Sequence, residues 1–149
     1  MIYKEEQVGW FSNLALLLIP AIILILFILE DNLRTDGLIL ILIVISVFVV
    51  SFLLFYKLKV IVNDKFVIIS FGIGLIRKKI LIADLATVRK SRSKWYNGWG
   101  IKYLGNGWLY NIQGLNVIEL SFINKNNIIR IGTKANSHLE REIKKRIVN

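Results

Sequence analysis

Two long apolar runs constrain the fold of this chain more than any other feature of its sequence. Residues 14–29 are sixteen consecutive apolar positions, and residues 38–56 hold two serines among nineteen positions. Residues 10–13 extend the first run to twenty. Because a helix rises about 1.5 Å per residue, about 20 residues cross the ~30 Å hydrocarbon core of a bilayer. The sequence therefore predicts a transmembrane helical hairpin, with spans at about 10–29 and 38–56.

Two other interpretations of the apolar runs fit the sequence less well. A pair of buried core helices would need a large domain around it, and the roughly 90 remaining residues are too few to supply one. A cleaved signal peptide would need a basic segment before the run and small residues after it. Glu5 and Glu6 stand before the first run, however, and Glu30 follows it. We therefore expect both runs to remain in the membrane.

The charged residues that flank the runs predict their orientation. The connector, residues 30–37, holds Glu30, Asp31 and Asp36 but one basic residue, Arg34. After the second run, lysines follow at positions 57, 59 and 65. Cationic flanks stay on the cytoplasmic side of a membrane. We therefore expect both termini in the cytoplasm and the connector outside.

The rest of the chain predicts a small β-domain that one helix closes. Apolar and polar positions alternate between turn signals, which predicts seven strands, at 57–62, 66–71, 75–81, 86–90, 107–112, 117–123 and 128–131. Ser137 is predicted to cap a helix on which Leu139, Ile143 and Ile147 form one apolar stripe. Seven strands followed by one amphipathic helix are the element order of a pleckstrin-homology (PH) barrel. We predict two parts, the N-terminal segment and hairpin (1–56) and a cytoplasmic PH-like domain (57–149).

Four segments carry a resemblance to a known family. They are Lys-Glu-Glu-Gln at 4–7, the apolar and basic block 58–88, GWGIKY at 98–103 and IRIGT at 129–133. In this order and spacing they resemble the bacterial PH-like domains that follow short transmembrane hairpins. The resemblance implies a PH-like fold, a bacterial origin and a multi-pass protein of the inner membrane. It implies little about activity.

Basic residues concentrate in the second part of the chain, and several of them adjoin aromatic residues. Residues 57–149 hold 18 of the 20 basic residues and five of the ten acidic ones. A lysine or arginine close to an anionic leaflet contributes about 1 kcal/mol of binding free energy. The candidate contacts with a membrane or a partner are Arg77, Lys78, Lys79, Arg89, Lys90, Arg92, Lys94, Trp95, Tyr96 and Trp99, and Lys144-Lys145-Arg146 is a third basic cluster. A solvated cytoplasmic face without a ligand is the alternative interpretation of each cluster.

No arrangement of residues in the sequence points to catalysis or to a cofactor. Gly72 and Gly74 resemble part of a dinucleotide fingerprint, but Arg77 stands at the third glycine position and a strand follows. His138, the single histidine, has no acidic or cysteine partner in the pattern, and the chain has no cysteine. Without a nucleophile and base pair or a ligand cluster, we expect neither an enzyme nor a metal or cofactor site.

The predicted function is therefore binding at the cytoplasmic face of the inner membrane. We expect a non-enzymatic adaptor, scaffold or accessory subunit, which contacts anionic lipid headgroups and another membrane protein or a second copy of itself. One alternative is a sensor of anionic headgroups in which residues 77–79 and 89–94 form one pocket. Another is a small subunit of a transport or secretion assembly. Nucleic acid is disfavoured as a partner because the membrane supplies a nearer polyanion.

Overall fold

The two apolar runs form two helices in the computed structural model, which describes residues 2–29 and 35–147. The first helix, α1, is Trp10–Leu29, and the second, α2, is Thr35–Phe55. Within α2, Gly37–Phe55 is long and apolar enough to cross a membrane, and none of it is buried among the described residues. The apolar stretch of α1 over Asn13–Leu29 is shorter. Residues 30–34, which hold most of the predicted acidic connector, lie outside the described residues.

An N-terminal strand, absent from the sequence prediction, precedes α1. This strand, β1 (Tyr3–Val8), pairs antiparallel along its whole length with β2 (Lys57–Val62), which begins where α2 ends. The Asn13 side-chain amide donates a hydrogen bond to the Tyr56 carbonyl, 3.1 Å away. The start of α1 and the end of α2 therefore lie side by side, at one end of the same sheet.

The strands form two sheets, which a C-terminal helix accompanies. The first sheet has the order β1-β2-β3-β4, and the second has the order β5-β8-β9-β7-β6. Among the described strands, the pair β7 and β9 is parallel and the other pairs are antiparallel. The remaining elements are β3 (Phe66–Phe71), β4 (Ile76–Leu81), β5 (Leu85–Arg92), β6 (Gly100–Tyr103), β7 (Gly107–Asn111), β8 (Asn116–Phe122), β9 (Ile128–Gly132) and the helix α3 (Asn136–Ile147).

The prediction of seven strands was wrong, because the described residues form nine. The two missed strands are β1 and the four-residue β6. In the chain, β6 and β7 follow β5 and precede β8, and they pair with each other as a hairpin. The loop between β5 and β6 comprises residues 93–99, whereas the sequence pattern predicts a loop over residues 91–100. The chain is thus a mixed helix and sheet fold with two sheets, and the first sheet includes residues from both sides of position 56.

The core lies between the two sheets and is closed by α3. Leu58, Val60 and Val62 alternate along β2 with the partly exposed residues and have no exposed surface. Leu139 and Ile143 of α3 are likewise fully buried in the same cluster, against which Ile147 also packs. The predicted apolar stripe of this helix is confirmed.

The predicted helix cap at Ser137 was wrong, because α3 already begins at Asn136. Thr133 organises the segment before the helix instead, since its hydroxyl oxygen accepts a hydrogen bond from the Ala135 N–H at 3.1 Å. The Ala135 carbonyl in turn accepts a hydrogen bond from the Leu139 N–H, also at 3.1 Å. Ser137 therefore lies inside the first turn of the helix.

Candidate membrane-contact surface

The register of the first sheet shows which of its residues lie near the helices. The helices α1 and α2 lead into the first sheet at the end that contains Lys57. We call this end of the domain the helix-proximal end and the opposite end the far end. Leu58 pairs with Phe71, and Phe71 pairs with Ile76. The turn between β3 and β4 therefore lies at the helix-proximal end, whereas the turn between β2 and β3 lies at the opposite end.

The β3–β4 turn is attached directly to the last turns of α2. The Ile73 N–H donates a hydrogen bond to the Leu53 carbonyl at 3.1 Å. Gly72 has a φ of +52°, and a Cβ there would collide with the same carbonyl oxygen, so the close approach requires glycine. Ile73 and Leu75 expose 55% and 74% of their surfaces beside the helix. The turn thus presents two apolar side chains at the level where α2 ends.

A buried glutamine locates the helix-proximal end of the second sheet. The Gln7 side-chain amide donates a hydrogen bond to the Gly132 carbonyl at 2.8 Å, and Gln7 is 1% exposed. Gly132 pairs with Val117, and the neighbouring Asn116 pairs with Arg92. Arg92 therefore lies at the helix-proximal end of β5, and the loop 93–99 extends beyond it.

The loop 93–99 has a fixed base and an exposed aromatic tip. The buried Ser93 donates its N–H to the Leu115 carbonyl at 2.7 Å, and its hydroxyl accepts a hydrogen bond from the Asn97 amide at 3.2 Å. Trp95 and Tyr96, in a short 3-10 turn, are 80% and 60% exposed. Such exposure of two large aromatic rings on an ordered loop is typical of a contact surface.

Cations accompany these aromatic side chains. The Lys94 ammonium lies 5.4 Å from the centroid of the Tyr96 ring, and Tyr96 raises the pKa of Lys94 above its ordinary value. Arg92 is exposed immediately before the loop, and Trp99 is exposed at its end. The predicted combination of basic and aromatic residues is thus located at the helix-proximal end of the domain.

The other half of the predicted cluster 89–94 lies elsewhere. Lys90 places its ammonium 3.6 Å from the Glu140 carboxylate of α3. Arg89 lies opposite Glu119 in the register of β5 and β8. Residues 89 and 90 therefore lie along β5 beside acidic residues of the domain, and 92 and 94 lie nearer the helices.

The structure does not bring residues 77–79 and 89–94 into one cavity. Lys78 and Lys79 line a cavity of about 220 Å³ together with Trp108 and Lys125, and no residue of 89–94 is in its wall. Arg77 is separate from this cavity and lies closer to the helix-proximal end, opposite Ser70. The two predicted clusters therefore occupy different places on the domain.

The third basic cluster, residues 144–146 on α3, lies far from α1 and α2. Arg146 is 3.6 Å from the Asp64 carboxylate in the turn between β2 and β3, which is the opposite end of the first sheet. Lys144 and Lys145 pair with Glu140 and Glu142 of the same helix at 2.8 and 3.1 Å. This cluster is thus an ion-paired surface at the far end of the domain.

A cleft, which the sequence analysis missed, lies where the helices meet the domain. Its volume is about 490 Å³, and we call it the helix–domain cleft. Its walls include Ala15 and Leu16 of α1, Ser51 and Phe55 of α2, Trp99 at the end of the loop 93–99, and Ile101 of β6. These side chains come from three segments far apart in the chain, so no local pattern could reveal the cleft.

The described residues contain no group of three or more His, Cys, Asp or Glu side chains that could hold a metal ion. His138 stacks on Tyr3, with 5.5 Å between the ring centroids. This contact joins the start of α3 to β1, which gives the single histidine a structural role.

Compared with known proteins, the chain matches no family model, no curated protein and no solved structure. The resemblance to bacterial PH-like domains therefore rests on the sequence motifs alone and stays a prediction.

Proposed function

We propose that this chain is a non-enzymatic protein of the bacterial inner membrane, in which α1 and α2 cross the bilayer and a PH-like domain is held at the cytoplasmic face. The domain acts there as an adaptor, scaffold or accessory subunit of a membrane complex. The observation that carries the proposal is the pairing of β1 with β2. Both apolar helices run without a linker into neighbouring strands of one sheet, so both helix ends lie on the same side of any membrane they cross.

The outward-facing surface of the helices supports their insertion. Side chains such as Leu42 and Ile43 expose 64% and 56% of their surfaces in α2, and Leu17 of α1 exposes 60%. Each Å² of apolar surface left in water is unfavourable by about 25 cal/mol. A bilayer would remove this penalty for the apolar stretches Asn13–Leu29 and Gly37–Phe55.

The attachment of the domain to α2 supports a role as a platform. The orientation of the domain relative to the helices is fixed by two contacts. They are the pairing of β1 with β2 and the hydrogen bond from the Ile73 N–H to the Leu53 carbonyl. A domain on a single flexible linker would present all its faces to the membrane in turn. Here the far end, with the C-terminus of α3 and the β2–β3 turn, points away from the helices and is accessible to a protein partner.

The proposed adaptor role is tested by purification of the tagged full-length chain from its own membranes in mild detergent. A partner protein is expected to co-purify in fixed stoichiometry. Lys125→Gln at the far end and Trp95→Ala in the loop 93–99 identify which surface the partner uses. Recovery of the chain alone, from membranes in which it is expressed at its normal level, would reject the adaptor role.

A second candidate, a sensor of anionic lipid headgroups, is favoured by one specific observation. Arg92, Lys94, Trp95 and Tyr96 converge at the helix-proximal end, where a membrane would lie against the domain. Aromatic rings with a polar edge suit the headgroup layer, and neighbouring cations suit its phosphates. The sensor would therefore use the loop 93–99 with Arg92, and would not use residues 77–79.

A further inference from the structure

The helix–domain cleft has the chemistry of a site for a hydrocarbon chain. The lining side chains named above are apolar, apart from the indole N–H of Trp99 and the hydroxyl of Ser51. The Ser51 hydroxyl donates a hydrogen bond to the Val47 carbonyl at 2.8 Å, so it needs no further partner in the cleft. The volume of about 490 Å³ is within the range of small-molecule sites, roughly 300–1,000 Å³.

The position of the cleft along the helices indicates where its occupant comes from. Ala15 and Leu16 are in the second turn of α1, and Phe55 is the last residue of α2. At about 1.5 Å per residue, Ala15 lies roughly 8 Å along α1 from Trp10. If the helices cross a bilayer over residues 10–29 and 38–56, the cleft extends from the membrane surface near Phe55 to roughly 8 Å inside the hydrocarbon core at Ala15. The molecules at that depth are membrane lipids.

The lining of the cleft suits the hydrocarbon part of an amphiphile. Trp99 contributes an indole, which has an apolar ring and one polar edge, to a wall that is otherwise made of apolar side chains and the bonded Ser51.

We propose that the helix–domain cleft holds an acyl chain of a membrane phospholipid. The bound lipid fills the space between the helices and β6, and it thereby couples the domain to the bilayer. This proposal rests on the proposed insertion of α1 and α2 in a membrane. It concerns a single lipid site, which shares Trp99 with the loop 93–99 but does not include the exposed Trp95 and Tyr96.

The test uses the full-length chain, reconstituted in nanodiscs of phosphatidylcholine and phosphatidylglycerol and analysed by native mass spectrometry after transfer to detergent. Wild-type protein is expected to retain one phospholipid molecule. Ala15→Phe, which fills the cleft, is expected to lower the retained fraction at least fivefold. The matched control is Ala21→Phe, on the same helix but lining a different groove, and it is expected to retain the lipid.

A second measurement guards against misfolding of the cleft variant. Trp10, Trp95 and Trp108 are replaced by Phe, so that Trp99 is the single tryptophan, and phospholipids with brominated acyl chains are added. The emission of Trp99 is expected to be quenched at low lipid content, and Ala15→Phe is expected to abolish the quenching while the thermal unfolding of the domain is retained.

The failures of the two proposals can be told apart. If the chain is released from membranes by alkaline carbonate, the proposed insertion is wrong. If the chain stays in the membrane but retains no lipid, the cleft holds no specific lipid and this inference is overturned. The same follows if the chain retains a graded series of lipids and Ala15→Phe does not change that series. Protection of the cleft by a co-purifying protein, with no lipid retained, would likewise overturn it.

Discussion

The Thr133 hydroxyl donates a hydrogen bond to the Glu5 carboxylate at 2.9 Å, across 128 residues of chain. The same carboxylate accepts the Lys134 N–H at 2.7 Å. Glu5 is in β1 of the first sheet, and Thr133 directly follows β9 of the second. One side chain before the first apolar helix therefore fastens the two sheets together next to α3.

Glu5→Ala is expected to destabilise the domain. The substitution leaves the hydroxyl of the buried Thr133 without its acceptor, and an unsatisfied buried group typically costs about 1–3 kcal/mol. We expect the free energy of unfolding to fall by about 2–3 kcal/mol in chemical denaturation. The control is Glu6→Ala on the exposed face of the same strand, which is expected to leave stability unchanged. Equal effects from both substitutions would show that the contact of Glu5 with Thr133 does not stabilise the fold.

The role of β1 could not be predicted from its sequence, for a physical reason. Lys-Glu-Glu-Gln is a polar segment that is typical of a solvated terminus, and its inward positions, Glu5 and Gln7, are as polar as the outward ones. They can face inward because their partners, Thr133 and Gly132, lie more than a hundred residues away. The apolar stripe of α3 was predictable because it is written within one helix. The short β6 was missed because its four residues show too little alternation.

The pairing of β1 with β2 predicts which soluble form of the domain folds. Val8 lies directly opposite Lys57. The Gly9 N–H donates a hydrogen bond to the Tyr56 carbonyl at 3.3 Å, so this next pair can close a tight turn. Replacement of residues 10–55 by Asn-Gly would therefore join the two strands through a two-residue type I′ turn. We expect this chimera to be monomeric, with dispersed amide signals in its NMR spectrum and a cooperative thermal transition.

A fragment that begins at residue 57 is the control for the chimera. It lacks β1, and so it exposes the edge of β2 and removes the acceptor of the Thr133 hydroxyl. We expect it to aggregate or to unfold without cooperativity. If it is as stable as the chimera, β1 is not an integral part of the sheet.

The C-terminal helix offers a direct test of the core. Ile143 has no exposed surface and packs in the cluster between the sheets. Ile143→Asp would bury a carboxylate without a partner, which typically costs several kcal/mol, comparable with the whole stability of a small domain. We expect the chimera with this substitution to be unfolded by circular dichroism. Arg141→Asp, on the exposed side of the same helix, is expected to change its melting temperature little.

The orientation in the membrane is tested by cysteine labelling, since the chain has no cysteine of its own. The prediction rests on the acidic connector and on the lysines that follow α2. A cysteine in place of Asn32, which lies outside the described residues, is expected to react with an impermeant thiol reagent in intact cells. A cysteine in place of Asn126, which is exposed on the domain, is expected to react after lysis alone. The reverse pattern would place the domain outside.

The sequence shows which basic residues are close together along the chain, but it does not predict on which surface of the folded domain each of them lies. In a strand, neighbouring side chains point to opposite faces, and successive positions lie about 3.3 Å further along the sheet. A run such as 89–94 is therefore spread over two faces and much of the length of β5. Lys90 reaches Glu140 of α3, whereas Arg92 lies at the helix-proximal end. Only the strand register, which depends on distant partners, decides which of these charges a membrane could meet.

The loop 93–99 is tested for lipid contact by hydrogen exchange of the full-length chain in nanodiscs. The backbone amides of Arg92 and of the loop are expected to exchange more slowly as the fraction of phosphatidylglycerol rises from zero. At high salt this protection is expected to be lost, because screening shortens the range of the attraction between the cations and the lipid. Arg92→Gln and Lys94→Gln are each expected to weaken this protection roughly fivefold. The matched control is the pair Lys144→Gln and Lys145→Gln, which removes the same charge at the far end of the domain and is expected to leave the loop unaffected.

Equal effects from both pairs would mean that net charge, and not this loop, attracts the domain to lipid. Loss of protection with Trp95→Ala, without any dependence on lipid charge, would instead favour a protein partner at the loop, because aromatic side chains dominate the energy of such contacts.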